Sequence, residues 1–569
     1  MKETVVRFEN FGFQYKVQQE PTLYDINLEI RKGEKVLILG SSGSGKSTLA
    51  NCINGLIPFS NEGTITGSVT VNGVETQTSS IHGLSKMVGT VLQDSDAQFV
   101  GLSVGEDIAF AMENEAILRP EMLPVVYRHA SVVGMQEFIA AVPFDLSGGQ
   151  KQKVAIAGVL GSDVNIFIFD EPLAALDPKM GQTAVALIDN LAQEEERTVI
   201  IIEHRLEDVL YRRVDRVILM AEGRIVADTT PEELLKSSLL SQYGIREPLY
   251  ITAMKYAGCS IEDNENLCDI NTLHFTEENL KKLTDFFNAE TAAQAAAEGE
   301  EVIRFEHVSF AYDEGKNVLE DVSFSIHKGE RIAIIGKNGA GKSTAAKLIC
   351  GVARPNKGSV AIGGRDAKSM SVKEIGEHVG YVMQNPNQMI LKDTIKQEVE
   401  YALTIRGVKQ DEIRERATAA LNACSLYPMR NWPVDTVSYG QKKRITVASI
   451  LVLRPDVLIL DEPSAGQDYR SYTEIMKFID VLNRETGIAI LFITHDMHLA
   501  LENTDRAIAF ADGKLVADER VFSVLANDEV IEKASLKQTS LYTLATRLGL
   551  PPERVIRRFI EHERQVKRA

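Results

Sequence analysis

The sequence predicts an α/β protein built as two tandem copies of one domain, each a mostly parallel sheet with helices on both faces. Two observations carry this. The chain repeats itself in register, and inside each copy short apolar runs alternate with helical stretches. RFENFGFQY (Arg7–Tyr15) returns as RFEHVSFAY (Arg304–Tyr312), and GSSGSGKST (Gly40–Thr48) returns as GKNGAGKST (Gly336–Thr344), 296 positions later. FDEP (Phe169–Pro172) returns as LDEP (Leu460–Pro463), 291 positions later. The slip of five falls in Ile57–Gly67, where the first copy carries the longer Gly-, Asn- and Ser-containing connection. From there the register of 291 relates Gln93 to Gln384, Ser147 to Ser438, Glu171 to Glu462 and His204 to His495.

Each element has a local reason. Val36–Leu39 is a run of Val, Leu and Ile that ends in a glycine loop, and the loop opens a helix over Lys46–Asn54. Ile166–Phe169, Val199–Ile202 and, in the second copy, Val457–Leu460 are continuous apolar runs, the pattern of strands buried on both faces. The copies are roughly 230 residues each, a normal domain size. Behind them lie REPLYITAMKYAG (Arg246–Gly258) and QTSLYTLATRLGL (Gln538–Leu550), alike enough to predict a small helical appendix on each. ETAAQAAAEGEE (Glu290–Glu301) has the composition of a semi-flexible linker. The expected plan is therefore a first domain over 1–240, an appendix and linker over 241–301, a second domain over 302–530 and a C-terminal appendix over 531–569. The tail, RVIRRFIEHERQVKRA, reads as a basic amphipathic helix that either packs on its own domain or docks a partner.

Composition narrows the function. A net charge of −18 is a poor footprint for nucleic acid and opposes adsorption to an anionic lipid surface. No apolar stretch approaches the ~18 residues of a membrane-spanning helix. MKETVVRFEN lacks the apolar centre of a signal peptide. Cys52, Cys259, Cys268, Cys350 and Cys424 form no Cys-x-x-Cys and are expected to be reduced, mostly buried thiols. His495 and His498 are spaced His-x-x-His but lack a third metal ligand nearby.

The chemistry begins at the glycine loops. Gly40-Ser41-Ser42-Gly43-Ser44-Gly45-Lys46-Ser47-Thr48 and Gly336-Lys337-Asn338-Gly339-Ala340-Gly341-Lys342-Ser343-Thr344 both fit G-x-x-x-x-G-K-[ST], the P-loop. Glycines let the backbone approach a phosphate chain, the lysine reaches the terminal phosphates and the serine hydroxyl faces Mg²⁺. Asp170 and Asp461 each end an apolar strand, where a carboxylate can hold Mg²⁺. Glu171 and Glu462 follow directly and are the candidates to polarise an attacking water.

Leu146-Ser147-Gly148-Gly149-Gln150 resembles the signature of the ATP-binding cassette (ABC) ATPases, and the resemblance covers both copies. It implies two P-loop NTPase domains, each with a helical signature subdomain. Gln93 and Gln384 then resemble the Q-loop glutamine, which touches Mg²⁺ and senses a transport partner. His204 and His495 resemble the switch histidine, Tyr15 and Tyr312 the aromatic that stacks on adenine, and Asp177 and Asp468 the D-loop aspartate. In such ATPases each ATP is sandwiched between the P-loop of one cassette and the signature of the other. Lys46, Glu171 and His204 would thus pair with Ser438 and Gly440, and Lys342, Glu462 and His495 with Ser147, Gly148 and Gly149. The second signature departs from the pattern, since it reads Val437-Ser438-Tyr439-Gly440-Gln441, and Gly466-Gln467-Asp468 stands against Ala175-Leu176-Asp177. The side chain of Tyr439 either crowds the loop or points away. The expectation is unequal sites, the Lys342 site being the faster.

Leu92–Asn114 (LQDSDAQFVGLSVGEDIAFAMEN) is similar to the run after the Q-loop in energy-coupling factor (ECF) importer ATPases. The shared features are a second glutamine (Gln98), Ser103-Val104 and the acidic pair Glu106-Asp107. Gln384–Leu403 is a looser version. This resemblance implies a motor at the cytoplasmic face of the cell membrane, an integral membrane scaffold whose helices dock near Gln93 and Gln384, and a membrane subunit that captures a vitamin or metal ion, with thiamine, its pyrimidine precursor, cobalt or nickel as the candidates. Two alternatives share the tandem plan. A ribosome-associated ABC-F protein needs a strongly charged arm between its cassettes, whereas Arg246–Glu301 is Ala-rich and acidic. A DNA-repair or chromosome ATPase needs zinc-binding cysteines and coiled-coil insertions.

Overall fold

The computed structural model describes the chain apart from residues 1–2, 17, 93–97, 162–163, 174–175, 177, 194–196, 290–298, 313–316, 465–468 and 569. It comprises two compact units, Met1–Ile251 with Ile261–Phe275, and Thr252–Ser260 with Thr276–Ala569.

In the first unit the predicted apolar runs are the inner strands of a six-stranded sheet. Its order is Arg224–Thr229, Arg216–Ala221, Lys35–Gly40, Thr198–Ile202, Ile166–Asp170, Val88–Val91. The last five pair in parallel, and the Arg224–Thr229 edge is antiparallel. The second unit repeats the order with Lys514–Arg520, Arg506–Ala511, Arg331–Gly336, Ala489–Ile493, Val457–Asp461 and Val379–Val382. A four-stranded antiparallel sheet completes each unit, built on Thr4–Tyr15 in the first and Glu301–Phe310 in the second. Phe8, Phe11 and Phe13 of that strand are almost wholly buried: alternation relates Phe11 to Phe13, and an irregularity between Phe8 and Phe11 brings Phe8 to the same face.

The duplication extends to ion pairs under the central strand. Lys35 Nζ lies 2.9 Å from Asp189, and its main-chain N–H donates to Asp215 at 3.0 Å. Arg331 replaces it in the second unit, 2.7 Å from Asp480 and 3.0 Å from Asp505. Burial would raise the Asp505 pKa, but the guanidinium groups of Arg564 and Arg331 outweigh it and hold the carboxyl below its ordinary range.

The longer connection of the first copy is present over Ile57–Gly67: after Lys46–Asn54 the chain turns irregularly, with Ile57 non-helical, and the following strand, Gly63–Val71, is longer than its counterpart Lys357–Ile362. The cysteines are free thiols and mostly buried, as expected: Cys52 and Cys424 fully, and Cys259, Cys268 and Cys350 partly, the first two in appendix turns and the third at the C-terminus of the P-loop helix. Of the two readings of the tail, the packing one holds: the apolar face of the helix Pro552–Arg568 lies against its own unit. Val555, Ile556, Phe559 and Ile560 are buried, and the ring of Phe559 lies 5.6 Å from that of Tyr256. Arg564 donates to Asp505 at 2.6 Å. The helix is thus a packing element of the second unit. Phe559→Ala should destabilise that unit by about 3–5 kcal/mol, the usual cost of truncating a buried phenylalanine, seen as a lowered urea midpoint. An unchanged midpoint would contradict this packing role.

Candidate active site

Both glycine loops leave the central strand of their parallel sheet and turn directly into a helix, Lys46–Asn54 or Lys342–Ile349. Glycine is required where they turn. Gly45 and Gly341 have φ of 99° and 106°, and an added Cβ would stand 2.7 Å from a Leu23 methyl and 2.5 Å from a Leu319 methyl. Lys46 Nζ donates to the carbonyls of Gly40 and Ser41, both at 2.9 Å. Lys342 Nζ donates to Gly336 at 2.7 Å and Lys337 at 2.9 Å. Each ammonium is thus folded onto its own loop by neutral carbonyls, and its charge also acts on the strand-end carboxylate of its unit, Asp170 or Asp461. Ser44 Oγ is buried with no hydrogen-bond partner among the described residues, a donor that suits phosphate. Tyr15 and Tyr312 are fixed alike, each hydroxyl 3.2 Å from the Oγ1 of Thr48 or Thr344.

The carboxylates lie beside the loops. Ser47 Oγ donates to Asp170 at 3.3 Å. Burial, reinforced by the Glu171 charge, pushes Asp170 up to about 6, against the Ser47 hydroxyl and Lys46. Asp461 is raised by burial too, and Tyr381 donates to it at 2.6 Å. A hydroxyl and a carboxylate side by side are hard oxygen donors, which fit Mg²⁺: that ion takes one or two carboxylates and completes its shell with water and phosphate.

Glu171 and Glu462 both adopt the left-handed backbone region, with φ of 47° and 43°. A residue with a Cβ holds that conformation only where the surroundings impose it, and such strain gathers at functional sites. Each N–H donates 2.9 Å back to the neighbouring strand, at Ile202 or Ile493. Beyond this the two sites differ. His495 Nδ1 donates to Glu462 at 2.7 Å, and the Thr494 hydroxyl donates to the same carboxylate at 3.2 Å. His204 Nδ1 stands 3.7 Å from Glu171. Position 203 is a glutamate there, wholly buried, accepting the N–H groups of Leu173, His204 and Arg205 at 3.1, 3.0 and 3.2 Å. Burial opposes a charge on His204, but the Glu171 and Glu203 carboxylates outweigh it and raise its pKa. Glu171 is likewise opposed by burial and lowered by His204, Lys46 and Arg205.

The signature serines are helix caps. Ser147 caps Gly148–Leu160 and Ser438 caps Tyr439–Leu451, each in a reciprocal capping box with Gln150 or Gln441. At Gly149 an added Cβ would stand 2.0 Å from the Met180 methyl, so a side chain there would require Met180 to move. Tyr439 neither crowds its loop nor points away: its hydroxyl donates to the main-chain carbonyl of Gln384 at 3.2 Å. Gln93, Asp177, Gly466, Gln467 and Asp468 lie outside the described residues.

The run that resembles ECF ATPases has a structural logic of its own. Gln98 binds the end of the Val88–Val91 strand through Leu92 N–H at 3.1 Å and Thr90 O at 3.2 Å. Glu106 closes a capping box with Ser103, and Asp107 accepts the N–H groups of Val100 and Gly101 at 2.9 and 3.1 Å. Glu398 does the same for Leu391 and Lys392, both at 2.8 Å. The loops so anchored display Leu102, 83 % exposed, and Leu391, 67 % exposed. The residues that motif reading passed over are Glu203, Thr494, Tyr381 and Lys443. Glu203 had a signal, a charge closing an all-apolar run just before His204. Tyr381 and Lys443 were visible only as departures from their partners in register, Thr90 and Gln152.

A family profile described as "ABC transporter" matches residues 23–174 and 319–465. One described as "ATP-binding cassette cobalt transporter" matches 237–310. An ABC transporter ATP-binding protein of Enterococcus faecalis is 52 % identical over 569 residues, the whole of both chains. One of Clostridium perfringens is 50 % identical over 564 residues, 99 % of each. A solved structure, cbiO1 from Clostridium perfringens, described as part of the ABC transporter complex cbiONQ, is 31 % identical and covers 41 % of this chain and 94 % of its own, with a TM-score of 0.39.

Proposed function

The chain belongs to the ABC transporter family as an ATP-binding protein, and from that premise we propose that it is the motor of a membrane importer of the ECF class. Its reaction is ATP hydrolysis coupled to transport, as in the family. Lys46 and Lys342 neutralise the terminal phosphates, with Gly40–Thr48 and Gly336–Thr344 wrapping them and Tyr15 and Tyr312 against the adenine. Ser47 with Asp170, and Ser343 with Asp461, would hold Mg²⁺, joined by Gln93 and Gln384, and the ion would supply charge neutralisation of the phosphate chain. Glu171 and Glu462 orient the attacking water and accept its proton, and His204 and His495 hold those carboxylates toward the γ-phosphate. Each site is completed by the other cassette's signature: Ser438 and Gly440 for Lys46, and Ser147, Gly148 and Gly149 for Lys342.

The observation that carries this reading is the repeated pairing of P-loop ammonium, strand-end carboxylate and left-handed glutamate within each unit. The ECF assignment is supported by the run Leu92–Asn114 and by the match of 237–310 to a profile described for a cobalt transporter. Cobalt, nickel and thiamine-type vitamins are the candidate cargoes. Among the described residues no helix is long and apolar enough to cross a membrane. We therefore assign the path to an integral scaffold and a substrate-capturing subunit, with the chain peripheral at the cytoplasmic face. The ribosome-associated alternative is not favoured, because the full-length relatives are transporter ATP-binding proteins.

Detergent purification of the tagged chain from its own cells tests the assignment. Integral membrane proteins in fixed ratio are expected; co-sedimentation with ribosomes would overturn it. Leu102→Glu with Leu391→Glu should lower recovery of the scaffold at least ~10-fold, a loss of about 1.4 kcal/mol, while ATP binding persists. Undiminished recovery would move the docking site elsewhere.

A further inference from the structure

We propose that Lys443 is a positioning residue for ATP hydrolysis by the second cassette, holding the main chain of Glu462 from the signature helix of the same unit. The inference rests on the ATPase reading above and names a residue that the P-loop, signature and switch motifs do not contain. Lys443 is 3 % exposed, and its ammonium donates to the Glu462 carbonyl oxygen at 2.7 Å. A charged donor on a buried carbonyl makes one of the stronger hydrogen bonds available to a protein. The recipient is the residue that needs it. Glu462 is in the left-handed region, which persists only when its neighbours over-determine it. Its N–H is held by Ile493, its carboxylate by Thr494 and His495, and its carbonyl by Lys443.

The helix that supplies Lys443 makes two further ties within the unit. Tyr439 donates to the Gln384 carbonyl at 3.2 Å, and Lys442 Nζ donates to Asn387 Oδ1 at 3.1 Å. The Lys443 ammonium also lies 5.9 Å from the centre of the Tyr439 ring. One end of one helix thus grips both the Q-loop and the catalytic glutamate. The matching positions of the first unit are Gly148, Lys151 and Gln152, which offer neither the ring nor the buried ammonium. Tyr439, the departure in the second signature, is in this light part of a brace, so movement of that signature is transmitted to Glu462.

The test uses the full-length chain with Lys443→Met, Lys443→Arg and Tyr439→Phe. ATP turnover is measured against ATP concentration, and thermal unfolding is followed for each variant. Lys443→Met is expected to lower kcat about tenfold with KM for ATP within about twofold, because the carboxylate is displaced while the phosphate loop is untouched. Lys443→Arg keeps a charged donor and should recover most of the loss. Tyr439→Phe should lower kcat less, again at constant KM. An unchanged kcat in Lys443→Met, or a loss that tracks a lowered melting temperature and is not rescued by arginine, would overturn the positioning role and leave the ATPase reading standing. A parent chain without ATP turnover would overturn both.

Discussion

Glu462→Gln should lower ATP turnover of the full chain by about 10²-fold or more, the usual weight of a general base, and Glu171→Gln should cost far less. Glutamine keeps the volume of the side chain and can still accept from Thr494, so the loss isolates basicity. The two glutamates share a backbone conformation but not an environment. Glu462 accepts from His495 at 2.7 Å and Thr494 at 3.2 Å; Glu171 pairs with His204 at 3.7 Å, and the residue before that histidine is a glutamate where the second cassette has Thr494. At position 203 the first cassette spends its carboxylate on three main-chain N–H groups. A catalytic group pre-set by its neighbours has less reorganisation to undergo in the transition state. Equal losses in the two variants, measured as steady-state phosphate release, would contradict unequal sites.

Lys342→Ala should weaken ATP binding at its site by about 10²-fold or more. Truncating one partner of a buried, hydrogen-bonded charge pair costs about 2–5 kcal/mol, and each 1.4 kcal/mol is tenfold. Lys342 is buried and has the loop's own carbonyls as acceptors. Its substitution frees two loop carbonyls and removes a positive charge that lowers Asp461, so thermal unfolding of the variant is measured beside its ATP affinity. Lys46→Ala should do the same to the other site. Titration calorimetry with the hydrolysis-deficient chain reports the two sites separately; undiminished affinity in Lys342→Ala would remove the lysine from phosphate binding.

Much of the architecture was legible because it depends on local pattern. The helix Lys46–Asn54 has the ends that the sequence predicts, and the run Ile166–Phe169 gains only Asp170. Continuous apolar runs this short, rich in β-branched residues and bounded by glycines and charges, favour buried strands over helices. The signature serines were also legible, since S-x-x-Q is a capping box before it is anything else. What escaped depends on partners distant in the chain. Nothing near Tyr439 announces that its hydroxyl reaches Gln384, 55 positions away. Nor does a lysine in a polar helix start show that it is buried against Glu462. The tail helix was ambiguous for the same reason: its periodicity shows an apolar face but not that Tyr256 packs on it and Asp505 pairs with Arg564.

The central claim is that one chain carries two complete ATP sites. It is tested most directly by counting the nucleotides retained by the Glu171→Gln, Glu462→Gln double variant after rapid removal of free MgATP. Two ATP per chain is the expected result; one per chain, or none, would contradict it.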